Sequence, residues 1–210
     1  MFLHKSNFLF RWAYPHFLWK IPTNQKVIYL TFDDGPIPEV TEFVLSQLVH
    51  YQPKATFFCI GDNVRKNPEI FQKLIQNGHS IGNHTFNHLN GWKSKDLDYI
   101  ENFEKCGELL GEKKIESKLF RPPYGRIKKV QAEAILKTHS VVMWDVLSGD
   151  FSQDLSPETV LQKSIRYTEN GSIVVFHDSL KARRNLEYAL PRYLEHFSEK
   201  GFVFKSLPAQ

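Results

Sequence analysis

Two adjacent carboxylates, Asp33 and Asp34, end the apolar run Val27-Ile28-Tyr29-Leu30-Thr31-Phe32 and are followed at once by Gly35-Pro36. A β-branched and aromatic run of that kind reads as a buried strand, and Gly-Pro stops it, so both acids are delivered into a turn at the strand end. Side chains alternate along a strand, which sends neighbouring acids in different directions and lets one ligate a metal while the other stays free as a base. Taken alone, Asp-Asp-Gly-Pro is equally an ordinary turn, since each residue type favours turns for its own local reason. His84 and His88 shift the balance, because a spacing of four on a helical turn points both imidazoles the same way. With one carboxylate they make a three-ligand site. Structural metal sites are usually closed by four protein ligands, whereas a fourth position left to water marks a catalytic one.

Three more polar clusters each close an apolar strand-like run: Arg121-Pro122-Pro123-Tyr124-Gly125, Trp144-Asp145-Val146-Leu147-Ser148-Gly149-Asp150 and Val174-Val175-Phe176-His177-Asp178. With Thr31-Phe32-Asp33-Asp34-Gly35-Pro36 and His84-Thr85-Phe86-Asn87-His88, they make five motifs in the order found in the polysaccharide deacetylases, the family 4 carbohydrate esterases. The chain resembles that family from about residue 27 to 205.

The resemblance implies a metal-dependent hydrolase that removes N-acetyl groups from amino sugars of a glycan, of chitin-oligomer, peptidoglycan or lipid-linked type, and releases acetate. It implies that Asp34, His84 and His88 hold the metal, zinc in the first place, with cobalt or another divalent ion able to substitute because imidazole and carboxylate do not select sharply. Asp33 is then the base, Arg121 its partner, and the backbone N–H of Tyr124 a donor to the oxyanion. His177 is the acid that protonates the leaving nitrogen, and Asp150 supports the pair either through Arg121 or by raising the pKa of His177. A metal contributes on the order of 12 kcal/mol toward hydroxide at neutral pH, a positioned base about 3 to 5, so loss of the metal is expected to hurt more. Two positions depart from the family: Phe151 stands where Trp is usual and Val175 where Leu is usual, both in the pocket expected for the acetyl methyl group. Trp92 reads as a sugar platform or as core. The same site could serve an O-acetyl polysaccharide esterase. A catalytically silent glycan-binding protein would lack a ligand or base, and none is missing.

These residues need a scaffold that brings strand ends together. Seven apolar runs read as strands, near residues 27–33, 55–60, 79–84, 118–121, 140–146, 172–177 and 202–206. Helical patterns fill the gaps. One from Pro38 carries Val40, Phe43, Val44, Leu48 and Tyr51; a second is capped by Asn67 with Pro68 in its first turn and stops at Gly78. Others run from Ser94 to Gly111 with Leu97, Ile100, Phe103 and Leu110 inward, over 129–137, from Ser156 to Gly171, and through Pro191 to Gly201. Strands alternating with helices argue for parallel βα units. Periodicity leaves a closed barrel and an open doubly wound sheet both standing; the resemblance selects a single-domain α/β fold, a distorted (β/α)7 barrel, with its chemistry at the carboxyl ends of the strands.

With 210 residues, 41% hydrophobic, the chain suits one core. Its net charge of +4 is scattered and accompanies no nucleic-acid-binding motif, so the expected partner is an N-acetylated oligo- or polysaccharide, met by a monomer. Cys59 and Cys106 form no disulfide framework and do not fix the compartment. Lys5, Arg11, Pro15, His16 and Lys20 interrupt the aromatic segment 1–21, leaving neither the apolar centre of a secretory signal nor a membrane span. A cytoplasmic place, or a peripheral one on a membrane, is therefore expected. Residues 1–25 are expected to pack on a catalytic domain of residues 26–207, with an interfacial membrane anchor as the rival reading for 1–21.

Overall fold

The computed structural model describes residues 3–51 and 53–208, so the first two residues of the N-terminal segment lie outside the described residues. In chain order it runs α1 (Phe8–Ala13), β1 (Val27–Asp33), α2 (Val40–Tyr51), β2 (Thr56–Cys59), α3 (Gly61–Lys66), α4 (Pro68–Gln76), β3 (Ser80–Asn83) and α5 (Asp96–Glu112). Then come β4 (Leu119–Phe120), a 3-10 turn (Pro123–Gly125), α6 (Lys129–Ile135), β5 (Ser140–Val141), β6 (Val146–Leu147), α7 (Pro157–Tyr167), β7 (Ile173–His177), α8 (Arg183–Glu199) and β8 (Val203–Lys205).

Every strand pairing is parallel, in the order β5-β4-β3-β2-β1-β7-β6, with β8 on the early half of β1. β5 and β6 are halves of one run: the first pairs with β4 and the second with β7. That run bridges the two ends of the sheet and curls it into the distorted (β/α)7 barrel. The uninterrupted strand expected over 140–146 is broken, because Arg121 draws the carbonyls of Val142 and Met143 out of the ladder at 3.3 and 2.9 Å. Leu18 of the N-terminal segment takes the other edge, donating to the Val141 carbonyl and accepting from Met143 N–H, both at 2.8 Å.

The N-terminal segment lies along this seam. Ser6 N–H donates to the Asp145 carbonyl, Leu147 N–H to His4, and Ile21 N–H to Gly171. Phe17 and Trp19 are buried in a cluster with Tyr99 and Phe120. Asp145, wholly buried, receives Lys5 Nζ at 2.8 Å, Ser172 Oγ at 2.6 Å and the Arg11 guanidinium, so its charge is offset where solvent is excluded. Gly171 is left-handed (φ 76°), and a Cβ there would lie 1.9 Å from the Ile21 carbonyl oxygen. By contrast α1 buries none of its residues and leaves Phe8 and Trp12 74% and 80% exposed.

Several helices differ from their sequence pattern. α3 is unforeseen, since its polar run has one buried apolar side chain, Val64. Asn67 occupies the N-cap position of α4 without capping it; its amide instead donates to the carbonyls of Pro36 and Asn63. α5 runs through Gly111, and Lys114 (φ 61°) takes the left-handed turn. Leu97 on its first turn is exposed. α7 ends at Tyr167, ahead of Gly171, whereas α8 continues through Pro191 to Glu199, just short of the left-handed Gly201. α8 buries Leu186, Leu190, Tyr193, Leu194 and Phe197, each apolar side chain contributing about 1.5 to 3 kcal/mol.

Candidate active site

Register brings the site together. β1 and β7 pair Asp33 opposite His177, and β3 and β4 pair Asn83 opposite Phe120, so the next residues, His84 and Arg121, also emerge side by side. Asp33 is the last residue of β1, but Asp34 leaves the strand in a left-handed conformation (φ 88°). The two acids diverge through that turn, and strand alternation is not the cause. His84 and His88 lie on no helical turn either. The loop folds back through Thr85 (φ 61°) and His88 (φ 57°), held by Asn83 Oδ1 accepting from Thr85 N–H and by Asn102 Oδ1 accepting from Phe86 and Asn87 N–H. With Tyr124 (φ 60°), four non-glycine residues of the site stand in a conformation that surrounding structure must enforce.

Asp34, His84 and His88 offer ligand atoms that all lie within 4.8 Å of one another. Asp34 Oδ1 is 3.2 Å from His88 Nε2 and 3.7 Å from His84 Nε2. Buried Asp34 Oδ1 has no hydrogen-bond partner of sound geometry among the described residues, a cost of about 1 to 3 kcal/mol or more for a charged atom unless a cation meets it. Burial pushes the Asp34 carboxyl up, but the neighbouring His88 and the charge of His177 outweigh it and hold it far below the usual range. Burial lowers His84 to about 4 against the pull of Asp33, so its imidazole is neutral. Its Nδ1–H donates to the Arg121 carbonyl at 2.7 Å, which leaves the Nε2 lone pair facing Asp34. Tyr124 Oη lies 3.1 Å from His88 Nδ1, and with Nδ1–H as donor the Nε2 of His88 is likewise free to ligate. The donor set and its tautomers fit a divalent metal.

On one side of the triad, Asp33 Oδ1 accepts from Arg121 at 2.6 Å, leaving Oδ2 4.0 Å from His84 Nε2. Arg121 is fully buried, spreads its donors over Thr31 Oγ1 and the two strand carbonyls, and stacks 4.1 Å over Phe58. On the other side, Asp150 uses both oxygens on His177: Oδ1 accepts from Nδ1–H at 2.8 Å and Oδ2 from the backbone N–H at 2.7 Å. Of the two partners open to Asp150 from sequence, the structure pairs it with His177. Burial alone would lower the His177 pKa, but Asp150, joined by Asp34 and Asp33, raises it to about 9.

A cavity of about 540 Å³ opens over these groups. Its apolar wall is Pro122, Tyr124, Trp144, Leu147 and Phe151, the last edge-on to His177 at 5.0 Å. Val175, buried within β7, is not among the lining residues; Leu147, its register partner, is. Trp92 is exposed, neither core nor cavity wall: its Nε1–H bonds the Ile127 carbonyl and its ring lies under Arg126. Sequence reading missed the Tyr124 hydroxyl on His88 and the wall residues Trp144 and Leu147. The last two stood inside a cluster already singled out for Asp150.

The family model for polysaccharide deacetylase matches residues 20–142. Over 193 residues, covering 89% of this chain and 88% of its relative, the sequence is 36% identical to a peptidoglycan-N-acetylglucosamine deacetylase of Bacillus cereus. The chain belongs to the polysaccharide deacetylase family. Within that family it is also 31% identical to a chitooligosaccharide deacetylase of Azorhizobium caulinodans, over 90% of this chain and 96% of that protein. The fold superposes with a TM-score of 0.87 and 30% identity on the crystal structure of the Bc1960 peptidoglycan N-acetylglucosamine deacetylase in complex with an N-hydroxybenzamide compound, covering 95% of this chain and 94% of the other.

Proposed function

We propose that this polysaccharide deacetylase hydrolyses the acetamide of N-acetylated amino sugars in a glycan, of chitin-oligomer, peptidoglycan or lipid-linked type, leaving a free amine and acetate. The observation that carries the reading is the Asp34, His84 and His88 triad set between two charged pairs, Asp33 with Arg121 and Asp150 with His177. Asp34, His84 and His88 would hold the metal, for which zinc suits imidazole and carboxylate. When bound, it supplies Lewis acidity to the water and the acetyl carbonyl.

The remaining work falls to the chain. Asp33, with Oδ1 fixed by Arg121, accepts at Oδ2 the proton of the attacking water. The peptide N–H of Tyr124 donates to the oxyanion. His177 Nε2 delivers a proton to the departing nitrogen, and Asp150 and Arg121 act as positioning residues behind it and behind Asp33. An amide needs that proton more than an ester does, because an amine anion is a far worse leaving group than an alkoxide, and a histidine held cationic near neutral pH favours N- over O-deacetylation. Residues 1–25 act as a docked strap on a catalytic domain of residues 26–207, and the exposed aromatics of α1 offer peripheral contact with a membrane. No helix among the described residues is long and apolar enough to cross one. The site is complete within one chain, which suits a monomer.

Acetate release from chitin oligomers, peptidoglycan fragments and acetylated xylan, with zinc or chelator and with Asp33→Asn, tests this. Zinc-dependent release from the N-acetylated substrates, reduced about 10²- to 10⁴-fold in the variant, is expected. Release from acetylated xylan alone would replace the reading with an O-acetyl esterase; zinc binding without any release would leave a glycan-binding protein.

A further inference from the structure

Two cations line the cavity and take no part in the chemistry above, Arg126 and Lys181. Arg126 follows the 3-10 turn after β4, and Lys181 lies on the loop after β7. The broken run 140–147 lies between those strands and, with the loop after it, contributes Trp144, Leu147 and Phe151 to the wall between the two cations. Each cation is propped on an aromatic face. The Arg126 guanidinium is 5.2 Å from the Trp92 ring centroid, itself pinned by its bond to Ile127, and Lys181 Nζ is 6.0 Å from that of Phe151. Among the described residues neither has a carboxylate within 4.0 Å, whereas Lys5, Arg11, Lys73 and Arg183 are all paired.

The acids of the cavity cannot balance them. Asp33 is already met by Arg121, and Asp34 faces the two imidazoles of the metal triad. The wall between β4 and β7 is thus cationic and apolar, while the reacting groups of β1 and β3 lie on the rest of the rim. Arg126 and Lys181 line the same cavity as the triad, so a sugar bound with its acetamido group at the triad shares that cavity with both cations.

We propose that Arg126 and Lys181 read an anionic substituent, a carboxylate or a phosphate, carried on or next to the N-acetylated sugar, so that the substrate is an acidic glycan. This rests on the deacetylase reading and adds a charge requirement to it. Cations at an open rim act through attraction that salt screens, and each contributes at most about fivefold.

The test compares kcat/KM for acetate release from three oligosaccharides of equal length: a neutral chitin oligomer, a peptide-free strand in which alternate sugars carry a lactyl carboxylate, and an N-acetylglucosamine oligomer ending in a pyrophosphate. Wild type is set beside Arg126→Ala, Lys181→Ala, Arg126→Lys and Lys181→Arg, at low salt and at 0.5 M salt. One acidic substrate is expected to lead the neutral one by about tenfold at low salt, and which one leads separates carboxylate from phosphate. Each alanine variant raises KM for that substrate about threefold to fivefold with kcat nearly unchanged, the charge-conserving variants restore it, and 0.5 M salt erases the preference. Equal kcat/KM on acidic and neutral oligomers, or a loss in the alanine variants as large on the neutral oligomer, overturns the proposal while the deacetylase reading stands. If none of the three yields acetate with zinc present, that reading falls and takes this one with it.

Discussion

Asp150 determines what His177 can do. It holds both the ring Nδ1–H and the peptide N–H of the same residue, so orientation and charge come from one carboxylate. The proton that His177 donates is present below about pH 9 and is lost as pH rises through that value. Asp150→Asn is expected to move the alkaline limb of kcat/KM down toward the ordinary histidine value of about 6.5 and to cost on the order of 10²-fold at pH 8. A pH profile reads both, and an unmoved limb would remove His177 from the role of acid. A bound divalent ion cancels the share of the shift that Asp34 contributes, so the limb of the loaded enzyme is expected at or below pH 9. The same pair adds to folding stability, fully below the unfolded pKa of about 6.5 and diminishing as pH rises toward 9.

At the scale of elements, the seam made by β5, β6 and the N-terminal strap carries a buried charge network outside the active site. Removing both cations by Lys5→Met with Arg11→Met leaves Asp145 buried with Ser172 alone as side-chain partner, and about 3 to 5 kcal/mol of stability should go, measured by denaturant unfolding. Glu169 responds to acid. Lys20 and Lys5 hold it at about 2, so its contribution is present above about pH 4.5 and lost as pH falls toward 2, where hydrogen exchange at residues 18–21 should rise. The site's motifs were legible in sequence because each is local: a strand end, a turn residue and a chemical group within a few positions. What decides the seam is not local. Nothing in Val141-Val142-Met143 announces that Arg121 and Leu18 will take its peptide groups, and the spacing of His84 and His88 suggested a helix where Thr85 and Asn102 impose a loop. Asp150, too, had two partners open to it until register placed it beside His177.

For the molecule as a whole, the triad ties β1 to the loop after β3, two elements separated by β2. An ion there binds the folded chain alone, so at a hundred times its Kd zinc should add about 2.7 kcal/mol, seen as a rise in Tm that a chelator reverses. Asp34→Asn should abolish that response, and a zinc-dependent rise persisting in the variant would place the ion elsewhere. The strap has a consequence for biosynthesis. Lys5 and Asp145 stand 140 residues apart, and Lys5 and Glu169 164 apart. Residues 5–20 leave the ribosome long before the strand run they lie against, and with Phe8, Phe10, Trp12 and Trp19 among them they emerge as a sticky, unpartnered segment. The barrel seam is therefore sealed late in folding, and the interval before it closes is when the nascent chain is most exposed to aggregation and most in need of a chaperone.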